Sequence, residues 1–269
     1  SFPILFDHVN VYLKQQCLNS KTHTDNLYYD YFYKRYHYSY WKAEQDKLKK
    51  LYGQYKSENS NAIIGWNLAF SDWKMHGKNR LYRALNILFS SNRNKINFNK
   101  KKLNNRKKSL WFLAKSKGHP INDLHRNLLK EAIRSYNNKY NFANIKYNIL
   151  KYDEYYKLLI ETTVVPSPYG LGEICYRDFE ILFSGCVLIK PNMDHIKTWP
   201  NIYIPMKTYI PCKWDFSDLE KKVNWIFNNL DEAQTIATSG QNLIKNILLK
   251  ENNFAYRFRN IVNTALNTD

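Results

Sequence analysis

The chain has 269 residues, enough for one large domain or for two smaller domains that each bury a core. Its hydrophobic content of 44% and charged content of 24% are typical of a globular protein. The formal net charge of +18 favours anionic partners, which include nucleic acid, an anionic membrane surface and small phosphorylated ligands. The charge alone does not select among them.

The cysteines and the hydropathy argue against a disulfide-stapled protein and against a membrane-spanning one. Cys17, Cys175, Cys186 and Cys212 form no C-x-x-C pair and indicate reduced, mostly buried thiols. No apolar run approaches the roughly 18 residues that span a bilayer, and no signal-peptide pattern opens the chain. We therefore expect a cytoplasmic protein, in the host cytoplasm if the source is a virus. The sequence begins at Ser1, so the removal of an earlier segment stays open.

The N-terminal part contains few clear elements. Residues 46–55 have a helical pattern, the run NAIIGWNLAF predicts a strand with its following loop, and the tyrosine-rich residues 28–40 have no clean period. The polar, basic residues 90–108 predict a linker or an exposed loop. This organisation predicts an N-terminal domain at 1–105 on the acceptor side, a ligand-binding domain at 106–250, and a final helix at 251–269 that packs back toward the N-terminal domain.

Strand-like and helix-like runs alternate beyond residue 108. The predicted strands are SLWFLAK, NIKYNIL, VVPS, CVLIK and YIPM, and the predicted helices cover residues 122–136, 153–163, 173–184, 218–229 and 232–249. Alternation of this kind favours an α/β fold with a doubly wound parallel sheet. Ligands of such sheets bind at the carboxyl ends of the strands.

The turn SPYGLGE, at residues 167–173, follows a predicted strand and opens a helix. Gly170 and Gly172 let the backbone approach a ligand closely, and the N–H groups at a helix start favour an anion such as a diphosphate. Cys175 takes the third glycine position of G-x-G-x-x-G, and the turn follows a late strand. Both features weaken the alternative of a dinucleotide-dependent oxidoreductase.

The helix after the turn carries Glu173, Arg177 and Glu180 on one face. One interpretation is a solvated ladder of salt bridges, which contributes little to stability. The apolar flank FEILFSGCVLI favours a second interpretation, because a carboxylate buried there needs a partner. In that case the Glu180 carboxylate accepts hydrogen bonds from the two hydroxyls of a ribose, and the planar guanidinium of Arg177 binds a phosphate.

This region resembles the donor-binding half of the exostosin-like glycosyltransferases, which form glycosyltransferase family 47. The resemblance rests on the pattern R-x-x-E-x-x-x-x-G-C-V after a P-x-G turn, formed by Arg177, Glu180, Gly185, Cys186, Val187 and the turn Pro168, Tyr169, Gly170. It extends over residues 109–249 through the strand SLWFLAK and the two C-terminal helices.

The resemblance implies a GT-B fold, in which two Rossmann-like domains face each other across a cleft and the C-terminal one binds the donor. It implies an inverting transfer of sugar from a nucleotide sugar, commonly a UDP-sugar such as UDP-xylose or a UDP-hexose, to a hydroxyl of a glycan or glycoprotein. Glu173 and Glu180 lie seven residues apart, whereas the retaining GT-B pattern needs eight. No D-x-D motif occurs, so we expect no metal and no cofactor, with backbone N–H groups and basic side chains neutralising the diphosphate.

The predicted site residues form a donor group and an acceptor group. The donor group is Arg177, Glu180, Glu173, Tyr169, Gly170, Gly172, Ser167 and Lys115, with Arg126, Asp194 and His195 as weaker candidates. The acceptor group is Trp66, Trp73 and His76, in which the aromatic rings stack on sugar.

An inverting transfer needs a general base, and Asp72 is the predicted one because its aromatic neighbours raise the pKa of a carboxylate. The alternative is that Asp72 caps a helix beginning at Trp73. Asp7 and His8 are second candidates, although a turn at a strand end is the favoured explanation for them.

A competing hypothesis is a non-catalytic, nucleic-acid-binding protein. It rests on the net charge of +18, the basic run at residues 90–108 and tyrosines that could stack on bases. The charge is spread along the chain, however, and no helix-turn-helix, RNA-recognition or zinc-finger signature occurs. We therefore expect a nucleotide sugar and a glycan or glycoprotein as partners, and no stable nucleic-acid partner.

Overall fold

The computed structural model describes residues 12–14, 16–18, 62–68, 98–113, 120–141, 143–146, 150–170, 173–249 and 252–266. The chain folds into two compact units. The first contains residues 1–67, 192–201 and 251–269, and the second contains residues 68–191 and 202–250. The domain boundaries at 1–105, 106–250 and 251–269 stay a prediction.

Strands and helices alternate between residues 107 and 191, as the sequence predicts. In chain order the described elements are β1 (Tyr12–Lys14), β2 (Gln16–Leu18), β3 (Ala62–Ile64), a 3-10 helix (Leu103–Asn105), β4 (Lys107–Leu113), α1 (Pro120–Tyr140), β5 (Ala143–Lys146), α2 (Tyr152–Glu161), β6 (Thr162–Pro166), α3 (Tyr176–Ser184), β7 (Val187–Pro191), β8 (Ile196–Thr198), β9 (Ile210–Cys212), α4 (Leu219–Asn228), α5 (Leu230–Leu249) and α6 (Asn252–Leu266).

The first unit contains two short pairs of strands and helix α6. Strand β1 pairs parallel with β3, and β2 pairs antiparallel with β8. The ring of Phe254, on α6, lies edge-on to the ring of Trp66 with 5.0 Å between the ring centres. The strand predicted in NAIIGWNLAF is confirmed as β3.

The second unit is built on a five-stranded sheet in the order β5-β4-β6-β7-β9, with every neighbouring pair parallel. Numbered along the chain, this order is 2-1-3-4-5, which is a doubly wound arrangement. The predicted α/β class and parallel sheet are confirmed for this unit. The strand order reverses between β4 and β6, and the crevice at such a reversal is where ligands of these sheets bind.

Alternate residues of the strands face opposite layers of helices. Leu110 of β4 and Ile189 of β7 belong to a core shared with α1, α4 and α5. On the other face Trp111 lies 5.5 Å from the ring of Tyr155 on α2. Each fully buried aliphatic side chain contributes about 1.5–3 kcal/mol to stability. The unit is therefore held by apolar side chains on both faces of the sheet.

Helix α3 ends at a glycine for a steric reason. Gly185 follows the helix with a φ of 70°, in the left-handed region that glycine adopts most readily. A Cβ at this position would lie 3.1 Å from both Arg106 and Gln241. The next residue, Cys186, is buried, and its thiol donates to the carbonyl of Leu159 at 2.7 Å. The Gly-Cys pair of the predicted motif therefore lies at the far end of α3 from the turn and has a packing role.

Two predictions from the sequence are wrong in detail. The basic run at 90–108 is not a loop throughout, because Lys107 and Lys108 begin β4 and the buried Arg106 donates to several backbone carbonyls. The strand predicted at YIPM is absent, since residues 203–206 make only an isolated bridge and the edge strand is β9. Tyr203 of this segment is buried, whereas Pro205 and Met206 are exposed, so a bulky composition alone does not specify sheet pairing.

We predict that Gly240→Ala destabilises the second unit. A Cβ on Gly240 would lie 2.6 Å from Leu182 of α3 and 2.8 Å from the carbonyl oxygen of Thr208. Overpacking of this kind costs about 1–3 kcal/mol, which exceeds the gain of about 1 kcal/mol in helix propensity. Urea unfolding should show the loss, whereas Thr238→Ala, an exposed change on the same helix, should stay within about 0.5 kcal/mol. An unchanged Gly240→Ala protein would contradict the close packing of α3 on α5.

Candidate functional site

The turn after β6 lies beside the reversal of strand order, and its first residues are held by hydrogen bonds. The backbone N–H of Ser167 donates to the carbonyl of Ile189 at 2.8 Å, which ties the start of the turn to β7. The backbone N–H of Tyr169 donates to Nδ1 of His125, on α1, at 3.0 Å. These two bonds fix the start of the turn against β7 and α1.

The buried carboxylate of Asp178, in the first helical turn of α3, accepts hydrogen bonds from both ends of the loop between β6 and α3. The hydroxyl of Ser167 donates to Oδ1 at 2.5 Å, and the backbone N–H of Cys175 donates to Oδ2 at 3.1 Å. Asp178 also accepts from the ammonium of Lys190, 3.0 Å from Oδ2, and from the hydroxyl of Tyr203 at 2.5 Å. Asp178 and Lys190 are both fully buried.

Sequence reasoning missed Asp178, Lys190 and Tyr203. Two local signals pointed to the first two residues. Cys175 and Asp178 have the three-residue spacing of a capping box, although cysteine is not a usual first member. Lys190 ends the apolar strand β7, and a lysine in such a run needs an acidic partner. Nothing local marks Tyr203, which reaches Asp178 from a segment 25 residues further along the chain.

His125 supports the turn from the α1 side as a neutral imidazole. Its Nε2 lies 2.9 Å from the carbonyl oxygen of Trp214, and its ring stacks on the Trp214 ring with 4.9 Å between ring centres. Burial lowers the pKa of His125 from 6.5 to about 3, against a smaller opposing effect of the Trp214 carbonyl. The N–H of Tyr169 needs an acceptor at Nδ1, so the proton of the neutral ring is on Nε2.

Two arginines on separate helices, the arginine pair, contribute positive charge to the region beside the reversal of strand order. Arg177 is in the first turn of α3, and its guanidinium lies 5.2 Å from the centre of the Phe112 ring of β4. Arg126 is in α1, and its pKa is lowered first by burial and then by the positive charge of Arg177. Two neighbouring guanidinium groups on separate helices form a site suited to an anion.

Glu180 lies one turn further along α3 and is buried against α2. The hydroxyl of Tyr155 donates to its Oε2 at 2.6 Å. The pKa of Tyr155 is raised well above its usual value, first by burial and then by the Glu180 charge, so the hydroxyl keeps its proton. Glu173 is buried as well. The interpretation of a solvated ladder is therefore wrong for both carboxylates. The prediction that the three residues share one helix face is also wrong, because α3 begins at Tyr176 and Glu173 precedes it.

The remaining predicted donor residues differ in whether their side chains are accessible to a ligand. Ser167 and Tyr169 are buried, and the Ser167 hydroxyl is used by Asp178, so these two residues contribute by holding the turn rather than by exposed side chains. At Gly170 a Cβ would lie 3.2 Å from the sulfur of Cys175, which explains a glycine there. Lys115 and Gly172 lie outside the described residues.

Of the predicted acceptor residues only Trp66 lies in the described part of the chain, and the weaker donor candidates Asp194 and His195 lie in the same unit as Trp66. Trp66 is in the first unit, where it packs against Phe254 and Phe258, so part of its ring is used for packing. Asp194 and His195 also belong to the first unit, the former exposed and the latter buried. The predictions that lie outside the described residues are Asp72, Trp73, His76, Asp7 and His8.

Metal-binding and membrane-spanning features are absent from the described residues. No group of three His, Cys, Asp or Glu side chains in those ranges could hold a metal ion. No helix there is both long and apolar enough to cross a bilayer. Independence from metals stays a prediction.

A cavity of about 490 Å³ lies away from the arginine pair. It is lined by residues that include Asn104, Phe227 and Asp231. These residues lie before β4 and at the junction of α4 and α5, which is the amino end of the sheet. Ligands of doubly wound sheets bind at the opposite end, so the candidate site is the arginine pair and not this cavity.

Comparison with known proteins identifies a class of enzyme. Residues 170–264 match glycosyl transferase family 90. The match supports a glycosyltransferase. It begins within the turn and includes Arg177 and Asp178, and it points to family 90 rather than to the exostosin-like family that the sequence pattern resembles.

Curated relatives agree with the family match. The chain is 27% identical over 84 residues to human (Homo sapiens) protein O-glucosyltransferase 3, which is 31% of this chain and 17% of that protein. It is 31% identical over 81 residues to protein O-glucosyltransferase 2 of Danio rerio, which is 30% of this chain and 16% of that protein. The similarity therefore spans less than a fifth of the length of these relatives.

One solved structure also resembles the chain. It is the C-terminal domain of a glycosyl transferase group 1 family protein from Francisella tularensis, with 13% identity and a TM-score of 0.37. The likeness covers 51% of this chain and 83% of that domain. At this TM-score the likeness carries no argument, and the arrangement of two facing domains stays a prediction.

We predict that His125 makes stability depend on pH between about 6.5 and 3. Above pH 6.5 the imidazole is neutral in the folded and the unfolded chain, so it contributes no pH dependence. Below pH 6.5 only the unfolded chain takes up the proton, so stability falls by up to about 1.4 kcal/mol per pH unit. Urea unfolding at a series of pH values measures the free energy of unfolding of the wild type and of His125→Gln. Plotted against pH, the two free energies should run parallel above pH 7, and below pH 6.5 the free energy of the variant should fall less steeply. Equal acid slopes would contradict a buried, neutral His125.

Proposed function

We propose that the second unit binds a nucleotide sugar and that the protein transfers the sugar to a hydroxyl group of its acceptor. The observation that carries this proposal is the coincidence of two independent findings on one site. The match to glycosyl transferase family 90 begins at Gly170 and includes Arg177. Arg177 lies over Phe112 of β4, beside the reversal of strand order, and its positive charge acts on Arg126 of α1. Ligands of doubly wound sheets bind at such a reversal.

The arginine pair suits the diphosphate of a donor. Arg177 and Arg126 come from different helices and can contact separate phosphate oxygens with charge-assisted hydrogen bonds. Negative charge on the leaving diphosphate grows as the bond to the sugar breaks. Fixed guanidinium groups that stabilise this charge lower the barrier. In this proposal the leaving group is neutralised by side chains, and no metal is required.

Glu180 suits the ribose of the same donor. Tyr155 holds its Oε2 at 2.6 Å, which fixes the direction of the carboxylate. Oε1 and the second lone pair of Oε2 then accept hydrogen bonds from the two ribose hydroxyls. This places a nucleoside diphosphate along the first two turns of α3, with the phosphates at Arg177.

The names of the relatives suggest the sugar and the acceptor. The relatives are protein O-glucosyltransferases, so we propose a hexose such as glucose as the transferred group and a protein or glycan hydroxyl as the acceptor. We further propose a UDP-linked donor and inversion at the sugar. Asp72 stays the proposed general base. Transfer with inversion needs such a base on the acceptor side.

A binding screen tests the proposal. Calorimetry against UDP, GDP, CDP, NAD and a short single-stranded oligonucleotide, with and without EDTA, should show one nucleoside diphosphate bound in EDTA. Arg177→Gln should weaken this binding about 10- to 100-fold, because a charged hydrogen bond contributes about 1.5–3 kcal/mol. Arg134→Gln, an exposed change on α1, is the matched control and should bind like the wild type.

Two outcomes would count against the proposal. Equal loss in the Arg177 and Arg134 variants would mean that affinity follows net charge rather than a built site. Steeply salt-dependent binding of the oligonucleotide, with no diphosphate binding, would favour the nucleic-acid hypothesis.

A second prediction separates the ribose contact from the phosphate contact. Glu180→Gln keeps the size of the side chain and an acceptor for Tyr155 but removes the charge. We expect it to weaken UDP binding about tenfold while leaving the binding of inorganic pyrophosphate unchanged. Competition calorimetry with the two ligands measures both affinities. Equal effects on UDP and pyrophosphate would place Glu180 away from the ribose.

A further inference from the structure

Asp178 accepts more hydrogen bonds than the stability of the fold alone requires. A buried ion pair loses more by desolvation than it gains by attraction unless every lone pair is satisfied, and apolar replacements are often as stable. Asp178 nevertheless accepts hydrogen bonds from Ser167, Cys175, Lys190 and Tyr203. Such an arrangement specifies one geometry. The question is which part of the site depends on that geometry.

The network of hydrogen bonds to Asp178 holds the two ends of the turn together. Ser167 begins the turn after β6, and Cys175 ends it before α3. Both donate to the Asp178 carboxylate, so one side chain joins the two ends of the loop. Lys190 ties the same carboxylate to the end of β7. The loop therefore keeps its span only while Asp178 stays in place.

The network also fixes the rotation of α3. Arg177 and Asp178 are neighbours on the helix, so their side chains leave it about 100° apart. With Asp178 directed into the buried pair, the Arg177 guanidinium lies 5.2 Å from the centre of the Phe112 ring of β4. A small rotation of the first turn would move the long Arg177 side chain away from this position.

We infer that Asp178, held by Lys190 and Tyr203, is a positioning residue that directs Arg177 toward the donor diphosphate. The inference rests on the proposed function of the site. Asp178 contacts no ligand in this role, because its carboxylate is fully buried and its oxygens are used by protein donors.

A double-mutant cycle tests the inference with a mild change. Tyr203→Phe removes one hydrogen bond to Asp178 and leaves the ion pair in place. We expect it to weaken binding of the nucleoside diphosphate, UDP being the first probe, about three- to tenfold at a temperature where circular dichroism shows the variant fully folded. The matched control is Tyr136→Phe. Tyr136 is a buried tyrosine of α1 whose hydroxyl donates to Asn224 on α4, so this variant should bind like the wild type.

The decisive measurement is Tyr203→Phe in the Arg177→Gln background. If the network acts through Arg177, the second change has no further effect, because Arg177 is already absent. Full additivity of the two effects would overturn the inference, since Tyr203 would then act independently of Arg177. A Tyr203→Phe protein that binds as tightly as the wild type would also overturn it.

A double variant in which neither member of the buried ion pair is charged gives a second, independent test. Asp178→Asn with Lys190→Met removes both charges together and should fold, because neither group is left charged and unpaired. We expect diphosphate binding about tenfold weaker in this folded variant. Wild-type affinity there would overturn the positioning role.

The same set of proteins separates the two proposals. If the wild type binds none of UDP, GDP and CDP, or Arg177→Gln binds normally, the proposed function fails and this inference fails with it. If Arg177→Gln loses affinity while the Tyr203 and paired variants do not, only the inference fails.

Discussion

A carboxylate with no access to water is the constraint on which the second unit depends. Asp178 is fully buried and ion-paired with Lys190, so a loss of either partner leaves an uncompensated charge in the interior. The donors that satisfy it are Ser167 directly after β6, Cys175 directly before α3, Lys190 in β7, and Tyr203. The ends of two adjacent parallel strands and one helix are thereby held at a single point.

The candidate site follows from that point. The turn that crosses the carboxyl end of the sheet is fastened by Asp178 on one side and by the neutral ring of His125 on the other. Arg177 leaves the helix next to the fixed residue and lies over Phe112 of β4, and its charge acts on Arg126 of α1. Charged groups held in place before binding are what a preorganised anion site requires.

The family match and the geometry carry different parts of the functional argument. The match to glycosyl transferase family 90 covers residues 170–264 and supports the class of reaction. It does not describe how the residues meet, and the pattern R-x-x-E-x-x-x-x-G-C-V shows why that matters. Arg177 and Glu180 lie near the crevice, whereas Gly185 closes α3 and Cys186 is bonded to Leu159. One motif thus contains residues that we propose bind the donor and residues with a packing role.

Local pattern in the sequence was enough to determine the α/β class, the parallel sheet, the turn at 167–173 and the helix that carries Arg177 and Glu180. Apolar periodicity and glycine placement are properties of neighbouring residues, so they can be read without a structure. Only the tertiary structure decided the partners of Asp178 and of His125. Tyr203 lies 25 residues from Asp178, and Tyr169 lies 44 residues from His125. Such contacts arise when strand order brings distant segments to one edge of the sheet, and no local period encodes that order.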